Sequence, residues 1–409
     1  MFRSRKNQFG TVLSFITIIA LAFSPNVQAQ GIRGGEGSDN TTVTGGSGRI
    51  GGGVPIRGGV VEIKVSEAEQ DAALNFWTHE ALAVAQPLDL MVDMGTSSGQ
   101  PGVLDAPITD EATPKSGGNL GFVPAGLPEA DANAIAQAAY TADWEAIIEE
   151  AGLAETNTAP MDEIAGSSGV YTSYRANYLS AMQKIYPHIW IGRVSFSTGE
   201  GTSYCSGTAI NNNVMLTAAH CIYDTTNNRA YNRWVFTPAY RNGSAPYGSF
   251  AASTCWILTA WVNLSGNYSI TGWARHDVAV CRMGRNSAGQ TLNGAVGWAG
   301  RQWNFGYLRH FHNLGYPFFD HRLETLTNPG GYLRLCAAES FVLATDTRGM
   351  GCNFGPGISG GPWLIGYAPG VVQGWVDGVN SGLYINQANL YGPRFTSNNI
   401  VPLCNAAGC

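Results

Sequence analysis

Three short stretches occur in a fixed order along this 409-residue chain: Thr217, Ala218, Ala219, His220, Cys221; then His276, Asp277, Val278, Ala279; then Gly357, Ile358, Ser359, Gly360, Gly361, Pro362. A serine hydroxyl is a poor nucleophile at neutral pH. It needs an imidazole within hydrogen-bond reach, and the imidazole needs a carboxylate to fix its tautomer and favour its charged form. Those needs assign Ser359 as nucleophile, His220 as base and Asp277 as the group that orients the base. Glycine two residues before the serine lets the backbone turn sharply, so that the N–H groups of Gly357 and Ser359 can point at a developing oxyanion. Gly360 and Gly361 keep side chains out of a crowded approach.

The order of the three residues restricts the fold. Gly357 to Gly361 also satisfies the G-x-S-x-G elbow of α/β-hydrolases, but that fold requires its histidine after the serine. The last histidine here is His321, so that architecture is excluded. The alanine-alanine-histidine-cysteine run and the glycine-x-serine-glycine-glycine-proline run resemble the chymotrypsin and trypsin family. The resemblance covers about residues 186 to 385. Cys205, Ser206, Gly207, Thr208 followed by Cys221 is similar to the family disulfide that brackets the histidine, and Tyr186 to Phe196 is similar to its first strand. The resemblance implies an all-β fold of two packed antiparallel six-stranded β-barrels, chymotrypsin-like, with the triad at their junction. It further implies a serine endopeptidase acting on protein or peptide substrates through an acyl-enzyme, with no cofactor and no metal.

Two departures from the family pattern matter. Digestive members carry an aspartate before the nucleophile, which pairs with the amino terminus released on activation; here that position is Ile358. No isoleucine-valine-glycine-glycine terminus precedes Cys205, so maturation is expected between about Gly166 and Tyr186, where Arg175 and Lys184 stand. Bacterial glutamyl endopeptidases have a similarly loose pattern, and His312 to Phe318 resembles a loop of that branch. Those enzymes read glutamate with a histidine on a strand after the serine, whereas Asn380 sits near that place here. With Asn353 near the pocket floor in place of an aspartate, the expected pocket is neutral. Its walls are about Cys352 to Pro356 and Gly378 to Gly382, with Asn353, Asn380, Ser381 and Gly382 as substrate-binding candidates and an uncharged P1 residue as the preference.

Compartment and organisation follow from composition. Basic Arg3, Arg5 and Lys6, an apolar run from about Val12 to Phe23, and small Ala29 read as a secretory signal over residues 1–29. All eight cysteines lie between residues 205 and 409, an even set that reads as a disulfide framework in a secreted chain. Eight cysteines allow 105 pairings. Proximity suggests Cys255 with Cys281, Cys336 with Cys352, and Cys404 with Cys409. Residues 30–165 hold 5 Lys and Arg against 21 Asp and Glu, whereas residues 166–409 hold 15 against 8. Parts of opposite charge attract. We therefore divide the chain into a glycine-rich leader with an acidic, partly helical propeptide over 30–170 and a protease domain over 171–409, with the propeptide as intramolecular inhibitor or chaperone; the same charge contrast also permits a retained accessory domain.

Within the leader, Ser66 with Glu69 forms a capping box, and Leu74, Trp77, Ala81 and Val84 repeat at helical spacing until Pro87. A second helix is expected from Pro128 to Gly152. Competing chemistries are weaker. His310, His312 and His321 read as a loop of imidazoles in preference to a zinc set, and His79–Glu80 lacks its second histidine because Ala83 stands there. The positive charge of the last 244 residues is unclustered, which argues against nucleic acid, and no run after the signal is long enough to span a bilayer. The expected molecule is a secreted monomer. The alternative from another class is a catalytically silent homologue serving as a binding or adhesion module.

Overall fold

The computed structural model describes residues 42–44, 59–88, 90–92, 113–118, 121, 171–265, 273–385 and 387–409. The signal segment, most of the glycine-rich leader and the helix expected after Pro128 lie outside the described residues.

Six antiparallel strands close a barrel. In ladder order they are Ile191–Ser197, Thr202–Ile210, Val214–Thr217, Ala279–Met283, Phe250–Leu258 and Asn232–Pro238, the last pairing back onto the first. β-Branched and aromatic residues suit a pleated, half-buried surface. Val194, Phe196, Ile210, Val214, Leu216, Val235, Phe236, Phe250, Ile257 and Val280 accordingly share one fully buried core. Asn232–Pro238 pairs with only the first two residues of Phe250–Leu258. The leader strand Val60–Lys64 takes the remaining edge, setting Ile63 opposite Cys255.

The second unit is a sheet in the order Asn389–Pro393, Thr347–Gly351, Arg334–Ala344, His310–Gly315, Pro362–Ile365, Trp375–Val379. Its two ends meet through single bonds: Ser381 N–H donates to Tyr391 O at 3.0 Å and Phe395 N–H to Asp377 O at 3.4 Å. Glycine makes this approach possible, since a Cβ on Gly392 would lie 1.9 Å from Val379 O. The two-barrel expectation thus holds, with a full ladder closing the first barrel and a seam of isolated bonds closing the second. Tyr171–Arg175 adds antiparallel to Arg334–Ala344, so the chain from Tyr171 onward is already part of this sheet. Four disulfides join Cys205–Cys221, Cys255–Cys281, Cys336–Cys352 and Cys404–Cys409.

The capping box forms: Ser66 Oγ accepts from Glu69 N–H, and Glu69 accepts from Ser66 N–H at 2.7 Å. The single helix expected from there to Pro87 is two, Glu67–Phe76 and His79–Val84. The break falls at Trp77, whose indole N–H donates to Arg233 O at 2.6 Å, pinning it to the barrel. Thr78 then starts a new helix by accepting from Ala81 N–H.

Inside the second unit, buried Asp377 holds two arginines. Arg309 Nη1 lies 2.8 Å and Arg348 Nη1 3.3 Å from its Oδ2. Arg348 is 0% exposed, so removing the carboxylate leaves a buried cation without its counter-charge. Asp377→Ala is expected to lower unfolding free energy by about 3–5 kcal/mol, measured by urea titration.

Candidate active site

Strand Val214–Thr217 runs directly into a single 3-10 turn, Ala219–Cys221, which carries His220. Another such turn, Ala274–His276, delivers Asp277. His220 offers two donors to one carboxylate: its backbone N–H reaches Asp277 Oδ1 at 2.9 Å and its Nδ1 lies 2.7 Å from Oδ2. Ser381 Oγ donates to the same Oδ2 at 2.6 Å. Asp277 is 0% exposed, and three hydrogen bonds offset the cost of burying its charge. An ionised carboxylate only accepts, so Nδ1 of His220 carries the proton and Nε2 is left as the basic nitrogen. The neighbouring His276 adds no competing cation. Burial and Arg275 push its imidazole below its ordinary range, and it accepts from Arg275 Nε at 3.0 Å.

Ser359 comes from the second unit, on the loop before strand Pro362–Ile365. One residue of the first barrel sews that loop in place. Ser206 N–H donates to Ser359 O at 2.7 Å, Ser206 Oγ donates to Gly357 O at 2.9 Å, and Ser206 O accepts from Thr217 Oγ1 at 2.9 Å. Tyr316 N–H donates to Ser206 Oγ at 3.0 Å. Thr217 lies three residues before His220, so the same seam brings the histidine turn and the serine loop together. The disulfide Cys205–Cys221 ties the strand of Ser206 to the turn of His220. Cys205, His220 and Cys221 lie within reach of one metal, but both sulfurs are spent in that bond.

The glycines of the loop answer to space and to backbone sign. Gly357 has φ +106° and Gly360 φ +79°. A Cβ on Gly360 would lie 2.0 Å from Thr217 Oγ1 and 2.4 Å from Ser206 O; one on Gly361 would lie 2.1 Å from Leu314 O.

The four pocket candidates occupy different environments. Asn380 is buried, its Oδ1 accepting from Asn313 and Trp363 and its Nδ2 donating to Asn313 Oδ1 at 2.9 Å and Ile358 O at 3.1 Å. Ser381 turns its hydroxyl onto Asp277. Asn353 is half-buried, and its carbonyl accepts from His321 N–H. Gly382 begins the short strand Gly382–Tyr384. Phe354, Ile358, Leu383 and Leu390 share one buried apolar cluster. Sequence reasoning missed Asn313, the partner of Asn380. A polar residue on the same strand face as the apolar Phe311 was its only signal. His310 and His312 meet edge to face, and His312 stacks on Tyr367; with His321 they do not form a ligand group among the described residues.

The trypsin family profile matches residues 181–286. Over those residues the chain carries a trypsin-like segment. It is 32% identical over 83 residues to the glutamyl endopeptidase of Bacillus licheniformis, a match covering 20% of this chain and 25% of that protein. Solved structures similar to it include the protease Anisep from Arthrobacter nicotinovorans, at 31% identity with 54% of this chain and 96% of that one covered and a TM-score of 0.45. A thermostable serine protease AL20 from an extremophilic microorganism aligns at 27% identity over 54% of this chain and 98% of that one, also at 0.45.

In this trypsin-like domain the seam predicts a sharp contrast between two glycines of positive φ. Gly360→Ala, at φ +79° against Thr217 and Ser206, is expected to cost about 3 kcal/mol or more. Gly289→Ala, at φ +75° in open space, is expected to cost only about 1–2 kcal/mol. Paired denaturant melts check the difference.

Proposed function

We propose that residues 171–409 form a serine endopeptidase that cleaves peptide bonds through an acyl-enzyme, and that the chain is secreted as a proenzyme. Ser359 attacks the carbonyl carbon. His220 Nε2 takes the hydroxyl proton and returns it to the leaving amine, and Asp277 stabilises the imidazolium that forms in between. Backbone N–H groups of Gly357 and Ser359 hold the oxyanion. The observation that carries this reading is the buried Asp277 carboxylate, held by His220 through two bonds and by Ser381 through a third. A surface histidine in a binding module has no need of so costly a fixture. One chain contains every group the reaction requires, in keeping with a monomer.

The expectation of an uncharged P1 residue rests on Asn353, which stands near the pocket floor in place of an aspartate. Secretion rests on the basic and apolar first 29 residues and on four disulfides, which persist in oxidising compartments. Among the described residues no helix is long and apolar enough to cross a membrane.

Two strand additions by the leader support its role as an intramolecular inhibitor. Gln86–Pro87 pairs parallel with Thr202–Ile210, and Leu88 N–H donates to Tyr204 O at 3.0 Å. Three residues after Pro87, Leu90–Val92 pairs parallel with Gly382–Tyr384, the strand that follows Ser381. One short stretch therefore adds to a strand of each barrel, on either side of the seam between them, and occupies backbone edges that an extended peptide substrate would need. The start of the sheet at Tyr171 supports a boundary near residue 170. Arg175 is 1% exposed with its guanidinium 3.3 Å over the Tyr332 ring, which disfavours cleavage there; Lys184 is exposed.

A fluorophosphonate probe is expected to label Ser359 in a form beginning near residue 171. Ser359→Ala should remove the adduct and lower kcat by about a millionfold. Absence of any adduct on folded, leader-free protein would point instead to a silent binding module. Full-length protein is expected to label slowly, and deletion of residues 86–92 should raise its rate toward that of the leader-free form. An unchanged rate would remove the inhibitory role from this stretch and leave the leader as a folding aid.

A further inference from the structure

Building on that reading of the site, we propose that Asn380 is the positioning residue for the oxyanion hole, and that it takes over the task an activation-released amino terminus performs where an aspartate precedes the serine. Three consecutive peptide planes around the nucleophile have their carbonyls held. Pro356 O accepts from Phe318 N–H at 2.6 Å, and Gly357 O accepts from Ser206 Oγ at 2.9 Å. Ile358 O accepts from Gly361 N–H at 2.9 Å and from Asn380 Nδ2 at 3.1 Å. A trans peptide is planar, with its N–H opposite its C=O. Fixing Pro356 O therefore fixes the direction of Gly357 N–H, and fixing Ile358 O fixes that of Ser359 N–H.

Asn380 is suited to hold that plane because its own amide cannot turn. Its oxygen accepts from Asn313 Nδ2 and, at 2.8 Å, from Trp363 Nε1; its nitrogen donates to Asn313 Oδ1 at 2.9 Å. With those three bonds made, a flip of the amide would set two donors against Trp363 and an acceptor against Ile358 O, at full desolvation cost in a site that is 0% exposed. The Asn380 backbone adds two more ties, accepting from Gly360 N–H at 2.8 Å and donating to Gly361 O at 2.9 Å. Ile358 itself is 0% exposed among Phe311, Cys336, Cys352 and Trp363, so its side chain anchors the loop by apolar burial. These contacts all lie between residues 206 and 380, so the proposal predicts an oxyanion hole that does not depend on which residue maturation leaves at the front of the catalytic domain.

The test uses leader-free protein titrated with a fluorophosphonate, so that rates refer to competent sites. Asn380→Asp keeps the shape and the acceptors but replaces the donor to Ile358 O with an oxygen. It is expected to lower kcat by about 10- to 100-fold, less than loss of an oxyanion donor itself, with KM within about twofold. The affinity for a peptide boronate, whose tetrahedral adduct places an oxygen in the hole, should fall by the same factor as kcat. Trp363→Phe, which only loosens the amide, should show the same pattern at smaller size, and serves if Asn380→Asp does not fold. Unchanged kcat and boronate affinity per titrated site, or a loss expressed mainly in KM, would overturn the assignment. If wild-type protein fails to react with the fluorophosphonate, it is the proposed function that falls, not the role of Asn380 within it. Wild-type proteins engineered to begin one, two and three residues upstream of Tyr171 are expected to share one kcat; a strict requirement for a single terminus would likewise overturn the proposal.

Discussion

The seam made by Ser206 is what the site depends on. Its amide, hydroxyl and carbonyl together engage Ser359, Gly357, Tyr316 and Thr217, which come from both halves of the domain. Each barrel can satisfy its own ladder, but neither alone can bring a histidine turn to a serine loop. Hydrogen bonds in a dry interface are directional and costly to leave unmade, so they set register between two bodies that apolar packing would let slide. The size of the loop glycines follows from this closeness: Gly360 lies against Thr217 and Ser206 with no room for a methyl group.

Around that seam the domain handles buried charge in two ways. Asp277 is surrounded by directed donors from His220 and Ser381. Asp377 sits between Arg309 and Arg348 and serves the interior of the second unit. At the junction, buried Arg193 lies 3.7 Å over the Tyr204 ring and 4.8 Å over that of Tyr240, so aromatic faces do the work a carboxylate does elsewhere. In each case the protein surrounds a charge with oriented groups before enclosing it.

The leader is tied to the same framework. Val60–Lys64 extends the first barrel, Trp77 docks on Arg233 O, and the stretch from Gln86 to Val92 adds to a strand of each half. An acidic leader and a basic domain attract over distance, but these backbone pairings decide where the leader lies. Charge contrast was readable from residue counts. The strands were not, because Leu90, Met91 and Val92 form too short an apolar run to distinguish a strand from a linker.

The sequence by itself determined the local parts and their order: a histidine, an aspartate and a serine each in a distinctive setting, a capping box at Ser66, and cysteine neighbours that do pair. These are local signals, carried by residue type and spacing. Tertiary structure alone decided that Asn380 spends its amide on Asn313, Trp363 and Ile358, that Ser381 belongs to Asp277, and that the helix breaks at Trp77. Hydrogen bonds between residues 67 or 104 positions apart, such as Asn313 with Asn380 and Asp277 with Ser381, leave no periodic trace in a chain. They exist only once non-local strand pairing has brought their partners into one dry volume, where every polar group must find its match.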